Sequence, residues 1–337
     1  MSRCQRHLLV PLAPFGERIT IQNKCYDVRG LHTWIINGNS NVLPGSQTVI
    51  SEEEKQILIQ AYEALPKIPV STILTRDKLI EVYPNLQHET YIDLGNEKYT
   101  DIALDTFSDN LTKLTSIRLN NNQLKKIQLG TFTNSTFCNN LLTLSLTYNK
   151  IQELQPGIFN NLLKLTDLHL GYNQIQEIQS GTFNNLPRLA YLSLNNNQIR
   201  ELQPDIFNNL SNLYSLHLNN NQIRELQPPE VPSAGIFNNL PNLRNLHLNN
   251  NQIRELQLGT FNNLPRLREL KLSYNQIQEL QPETFNNLSK LGFDFPILEL
   301  YLDNNQIIEL GTDLVNNLRR LKYVHLNNNP YLDTYQD

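Results

Sequence analysis

Cys4, His7, Cys25 and His32 crowd the first stretch of the chain, and all four are zinc-ligand types. A tetrahedral zinc site draws on four such side chains. Their spacing follows no zinc signature, however, and Cys25 falls in a segment that reads as strand or turn. Buried cysteine and surface histidine explain them better. Cys138 could act as a nucleophile only with a neighbour that lowers its pKa. It lies in the insertion Thr133–Asn140 with no basic residue placed to do so, which points to a packed thiol. No Gly-x-Gly-x-x-Gly, Walker, Gly-x-Ser-x-Gly or His-Glu-x-x-His motif occurs. The expectation is a non-enzymatic chain that holds neither cofactor nor metal.

Histidine is unevenly placed. His169, His217, His247 and His325 occupy one position of a recurring pattern. Two imidazoles on neighbouring turns make a poor metal site. A position that accepts any polar residue accounts for them, with a pH-sensitive contact as the functional alternative.

That pattern is Leu-x-x-Leu-x-Leu-x-x-Asn-x-Ile-x-x-Leu, followed by a Phe and usually Asn-Asn-Leu. It begins at Leu114, Leu141, Leu165, Leu189, Leu213, Leu243, Leu267, Ile297 and Leu321, with a degenerate unit near Glu89. The spacing is 24 residues from Leu141 through Leu213 and again from Leu243 to Leu267. In the unit from Leu189, Leu192 and Leu194 alternate with Tyr191, Ser193 and Asn195, the period of a short strand with one buried face. Ile199 and Leu202 then turn inward, and Phe207 fills the far side. One turn cannot bury these groups alone, but stacked turns close a continuous core. The Asn column (Asn122, Asn149, Asn173, Asn197, Asn221, Asn251, Asn275, Asn305, Asn329) is expected to be buried and bonded to backbone. The Phe column runs Phe132, Phe159, Phe183, Phe207, Phe237, Phe261 and Phe285, with Val315 substituting.

These motifs resemble the leucine-rich repeat family over residues 89–337. The resemblance implies an α/β solenoid, a horseshoe with a concave parallel sheet, in about ten units. The insertions Pro229–Ala234 and Leu291–Pro296 should bulge outward while the strand register continues, because loop closure costs grow slowly with length.

Residues 1–66 do not repeat and read as a small α+β module, joined by a helical connector over 67–88. Arg18–Ile21 alternates like a strand, Asp27 suits an N-cap, and Ser51-Glu-Glu-Glu54 forms a capping box for an amphipathic helix. A second helix is expected from about Arg76 to Tyr83. Ile19, Ile21, Cys25-Tyr-Asp27, Leu31, Trp34-Ile35, Gly38, Pro44 and Gln47 resemble a degenerate U-box, the metal-free RING-like module of some ubiquitin ligases. That resemblance implies docking of a ubiquitin-conjugating enzyme through Leu12 and Pro44, although the first loop is short and lacks the family's acidic residues.

Net charge is −4 with a pI near 6.0, which argues against nucleic acid as the main partner. No apolar run is long enough to span a membrane. The sparse cysteines fit a reducing compartment, so an intracellular, cytoplasmic and monomeric protein is expected. Arg200, Arg224 and Arg254 lie beside the column Glu153, Glu177, Glu201, Glu225, Glu255, Glu279 and Glu309, and Arg–Glu contacts between turns are expected.

Function in such a coil belongs to positions that the repeat leaves free. On the concave sheet these include Arg118, Tyr148, Asp167, His169, Tyr172, Tyr191, His217, His247, Glu269, Lys271, Tyr274 and Tyr301. At about 4.8 Å per strand, ten strands give a strip about 45 Å long. That is enough for a standard interface of about 800 Å² per partner. The expected role is an adaptor that binds a protein through this strip; the alternative is a ubiquitin-ligase adaptor with the repeats as substrate receptor. Tyr148, Tyr172 and Tyr191 read as one outward-facing cluster.

Overall fold

The computed structural model describes residues 18–21, 24–27, 51–63, 72–107, 111–132, 138–226, 235–257, 259–261, 264–281, 284–285, 299–310, 318, 321 and 323–330. At the N-terminal end, β1 (Arg18–Ile21) pairs antiparallel with β2 (Lys24–Asp27). Asp27 thus ends a strand. The helix expected after it lies outside the described residues, as do Leu12 and Pro44. Helix α1 (Glu52–Glu63) begins with the capping box that its sequence announces. The Ser51 amide donates to Glu54 Oε2 at 2.8 Å, and the Glu54 amide donates to Ser51 Oγ at 3.2 Å.

From residue 72 the chain builds a coil. Strand β3 (Ile73–Leu74) is followed by helix α2 (Arg76–Val82), whose N-cap Thr75 accepts from the Lys78 amide at 3.3 Å. Leu74, Leu79 and Leu86 are buried in the same core as the repeats, so this segment forms the first layer of the stack. Strand β4 (Tyr91–Asp93) is the first of ten in a parallel sheet, and β5 (Asp101–Ile102) returns to pair with β3. An edge strand leaves backbone groups unpaired. Here the Tyr83 hydroxyl accepts from the Asp93 amide at 2.7 Å and donates to the Asp93 carbonyl at 2.9 Å.

The remaining strands of the sheet follow at each turn. They are β6 (Ser116–Arg118), β7 (Thr143–Ser145), β9 (Asp167–His169), β11 (Tyr191–Ser193), β12 (Ser215–His217), β13 (Asn245–His247), β14 (Glu269–Lys271), β15 (Glu299–Tyr301) and β16 (Tyr323–His325). A second short pairing, β8 (Glu153–Leu154) with β10 (Glu177–Ile178), lies beyond the Asn ladder. The insertions around 229–234 and 291–296 lie outside the described residues. Register nonetheless passes them unbroken, with Ser215 opposite Asn245 and Glu269 opposite Glu299.

Two ladders hold the turns together. The phenylalanine rings from Phe107 to Phe285 stack at centroid spacings of 6.1–6.5 Å, so the spine begins one turn earlier than the repeat pattern suggests. Val315 lies outside the described residues. Each Asn of the buried column satisfies itself across two turns, its own and the one before. Asn197 Nδ2 donates to Leu194 and Leu170 carbonyls at 3.0 Å, while its Oδ1 accepts from the Ile175 amide at 3.0 Å. The same triad recurs from Asn122 to Asn329.

The outer edge differs from expectation. Arg200, Arg224 and Arg254 do not meet the glutamates. Each Nε donates instead to a glutamine of the next turn, Gln222, Gln252 and Gln276, at 3.2–3.3 Å. The backbone register sets equivalent positions side by side, with the Arg224 amide donating to the Arg200 carbonyl at 3.4 Å and Glu153 opposite Glu177. Each arginine side chain reaches a glutamine three positions before the next turn's glutamate.

Candidate functional site: the concave strip

Strand side chains alternate, so one set from each strand enters the core and the other lines the concave face. Leu144, Leu168, Leu192, Leu216, Leu246 and Leu270 are fully buried, which fixes their neighbours on the strip. Tyr148, Tyr172 and Tyr274 sit just past the strands, at a position with a special backbone. Asn121, Tyr148, Tyr172, Asn196, Asn220, Asn250, Tyr274, Asn304 and Asn328 all have φ between 54° and 58°. This left-handed conformation crowds Cβ against the carbonyl and suits Asn best after Gly. Asn fills six of the nine positions and tyrosine the other three.

Two of those tyrosines form a pair. The Tyr148 and Tyr172 rings stack with centroids 4.1 Å apart and planes 13° from parallel. They remain 49% and 42% exposed. Tyr191 does not complete a triple cluster. Its side chain leaves a strand rather than the following turn, so it lies in a different row, between His169 at 4.9 Å and His217 at 5.0 Å.

That second row is a continuous polar stack, and its histidines are not freely exposed. His217 and His247 stack at 4.3 Å. The Tyr191 hydroxyl lies 3.2 Å from His217 Nδ1, and Ser215 Oγ lies 3.0 Å from His217 Nε2. The His247 side chain is only 16% exposed, and its Nε2 meets Glu269 Oε2 at 2.7 Å. Lys271 Nζ reaches the other oxygen of Glu269 at 3.0 Å and lies 5.6 Å from the Tyr301 ring. Tyr301 stacks on His325 at 4.4 Å and donates to Glu299 at 2.9 Å.

Burial governs the protonation of this row. It pushes His217 down to about 4, aided by the facing charges of His247 and Lys271. Burial also lowers His169 and His247, in the latter against the pull of Glu269. Burial opposes ionisation of Glu269, but hydrogen bonds from His247 and Lys271 outweigh it and keep the carboxyl below its usual range. Near neutral pH the His247–Glu269 contact is therefore a hydrogen bond from a neutral imidazole. Hydrogen bonding to Glu299 raises Tyr301 to about 12.

The other expected site residues are spread along the strip. Arg118 donates to Asp93 at 3.3 Å and its guanidinium lies 5.7 Å from the Tyr91 ring, at the N-terminal end. Asp167 accepts from the Thr166 hydroxyl at 2.7 Å. Tyr274 stands 56% exposed further along. Among the described residues no group of three or more histidine, cysteine or acidic side chains could hold a metal. Cys138 is buried, and burial pushes its thiol up to about 12, far from a reactive thiolate.

The leucine rich repeat family model matches residues 139–199, 187–230 and 241–293. Together with the parallel sheet and the Asn ladder, these matches define the array as a leucine-rich repeat solenoid. No curated protein matches the chain by sequence. A leucine-rich repeat protein of Leptospira interrogans is 28% identical over 69% of this chain, with a TM-score of 0.54. A chain in the structure of the Drosophila Toll–Spätzle complex is 27% identical over 75% of this one, with a TM-score of 0.61. This chain spans 53% of the Leptospira protein and 33% of the Toll-complex chain. An internalin from Listeria monocytogenes shares the fold at 24% identity, covering 90% of this chain and 88% of its own, with a TM-score of 0.52.

Proposed function

We propose that the chain is a protein-interaction module whose concave strip binds a protein partner, anchored by the Tyr148–Tyr172 stack. The observation that carries this reading is a pair of exposed rings on a left-handed backbone, where most turns place Asn. A non-glycine residue in this conformation costs about 1–2 kcal/mol, and such strain gathers at functional positions. Large amphipathic rings lose little side-chain entropy when covered and are frequent interface anchors. A related coil in the Toll–Spätzle complex supports the reading of this fold as a binding scaffold.

The test begins by capturing a partner from lysate with the full chain and titrating the purified partner. Tyr148→Asn with Tyr172→Asn, which suits the backbone and removes both rings, should weaken binding at least tenfold, about 1.4 kcal/mol. Glu201→Ala with Glu225→Ala on the outer edge should leave affinity unchanged. The reverse pattern would move the interface off the concave face.

A further inference from the structure

Because all ten strands of the sheet run parallel, the residues just before each strand share one flank of the coil. Two rows line that flank. The first contains Lys113, Lys164, Arg188 and Arg266; the second contains Arg244 and Arg268, which are joined directly where the Arg268 amide donates to the Arg244 carbonyl at 2.8 Å. Across these two rows from turn 113 to turn 268 there is no acidic residue. All six cations are exposed or half-exposed, and among the described residues none forms an ion pair. Their contacts are with neutral groups: Lys164 Nζ donates to Asn140 Oδ1 at 3.0 Å, Arg266 Nη1 donates to Asn242 Oδ1 at 2.6 Å, and the Arg244 guanidinium lies 5.1 Å from the Tyr214 ring. Beyond the Asn ladder, the coil carries the exposed row Glu153, Glu177, Glu201, Glu225, Glu255, Glu279 and Glu309. That row is interleaved with Arg200, Arg224 and Arg254, so the outer edge mixes charges while the flank carries cations alone, in a chain that is net −4 overall.

We propose that this basic flank, and above all the Arg244–Arg266–Arg268 cluster, binds an acidic extended segment of a partner protein. Unpaired cations retain their full attraction for carboxylates. Arginine, which supplies four of the six, grips a carboxylate through two parallel hydrogen bonds. A narrow acidic peptide can follow one flank. Such a peptide can set its carboxylates against the cations and neutral residues beside Asp167 and Glu269, whereas a nucleic acid strand carries a charge at every phosphate and cannot avoid them. The flank requires none of the concave tyrosines, so it stands or falls apart from the strip.

Fluorescence anisotropy of a dye-labelled peptide rich in Glu and Asp, titrated with the full chain, tests this. The parent should bind, and its affinity should fall steeply between about 50 and 200 mM salt, as screening of exposed charges demands. Arg244→Gln, Arg266→Gln and Arg268→Gln together should raise the Kd at least tenfold, while Glu201→Gln with Glu225→Gln should not. If circular dichroism shows the triple variant misfolded, Lys164→Gln with Arg188→Gln serves in its place and should raise the Kd at least threefold. An unlabelled oligo-dT of matched charge should compete no better than unlabelled peptide. Failure of the parent to bind the peptide, an unchanged Kd in the folded variants, or stronger competition by oligo-dT would overturn the proposal.

Discussion

Within a single turn, Leu192 and Tyr191 are neighbours in sequence but belong to different regimes. Leu192 faces the core, and its counterparts Leu168 and Leu216 are the same residue in the same environment. Tyr191 faces the concave strip, and its counterparts are Asp167 and Ser215. The inward set must repeat, since each side chain fills the space left by the turns on either side. The outward set is held in place by that repetition yet is not itself required to repeat. Even so, the strip is not uniformly free. Its second half knits His217, His247, Glu269 and Lys271 into a stack, whereas its first half leaves Tyr148 and Tyr172 exposed to solvent. A variable surface can thus hold some positions in its own contacts and leave others open to solvent.

The sharpest way to break this contrast is to remove a ring from the inward set. Phe183 is 1% exposed and sits between Phe159 and Phe207 in the spine. Phe183→Ala should cost about 3–5 kcal/mol in urea unfolding, the usual loss for a buried aromatic whose cavity cannot close. A loss under about 1 kcal/mol would mean that turns repack independently of the spine.

A smaller effect is expected in the stacked half of the strip. His217 is held near 4 in the fold and titrates near 6.5 when unfolded. Between those values the unfolded chain binds the extra proton, so this contribution is complete above about pH 6.5 and declines as the pH falls toward 4. His169 and His247, also lowered, act with the same sign. Urea midpoints should drop from pH 7 to pH 5, and His217→Gln should shrink that drop. A variant with the parent's full pH dependence would place the sensitive groups elsewhere. Losing its contacts with Tyr191, Ser215 and His247, His217→Ala should cost about 1 kcal/mol at neutral pH.

The smallest effects separate the tyrosines from one another. Tyr274 is 56% exposed with φ of 58° and stacks on no ring among the described residues. Tyr274→Asn should stabilise by about 0.5–1 kcal/mol through relief of the left-handed backbone. Tyr148→Asn should show no such gain, because it also forfeits a ring stack worth about 0.5–1.5 kcal/mol. Equal gains in thermal midpoint would show that the stack contributes nothing.

Most of the fold was legible in the sequence, because a period of 24 residues with Leu, Asn and Phe at fixed places admits one way of burying them all. The Asn ladder, the unbroken register across both insertions and the capping box at Ser51 followed from residue types alone. The site was less legible. Alternation told which side chains face out, but not how deeply neighbours on adjacent strands bury one another, so His217 and His247 read as exposed. The shared Asn and Tyr position carried a signal that pointed to positive φ, since Asn is the non-glycine residue most tolerant of it. Reading it would have separated Tyr148 and Tyr172 from Tyr191. The arginine pairing was misjudged because the outer edge is set by the pitch of the turns rather than by strand alternation, and glutamine rather than glutamate lies within reach.

If the repeating residues hold the coil, the exposed Tyr148–Tyr172 pair should contribute little to its stability. Side-by-side urea unfolding of Asn197→Ala and of Tyr148→Asn with Tyr172→Asn tests this most directly. The first should lose about 1–3 kcal/mol, because three buried backbone groups lose their partner. The second should stay within about 0.5 kcal/mol of the parent, as for most exposed positions. Equal losses would contradict the division between a ladder that holds the coil and exposed rings that do not.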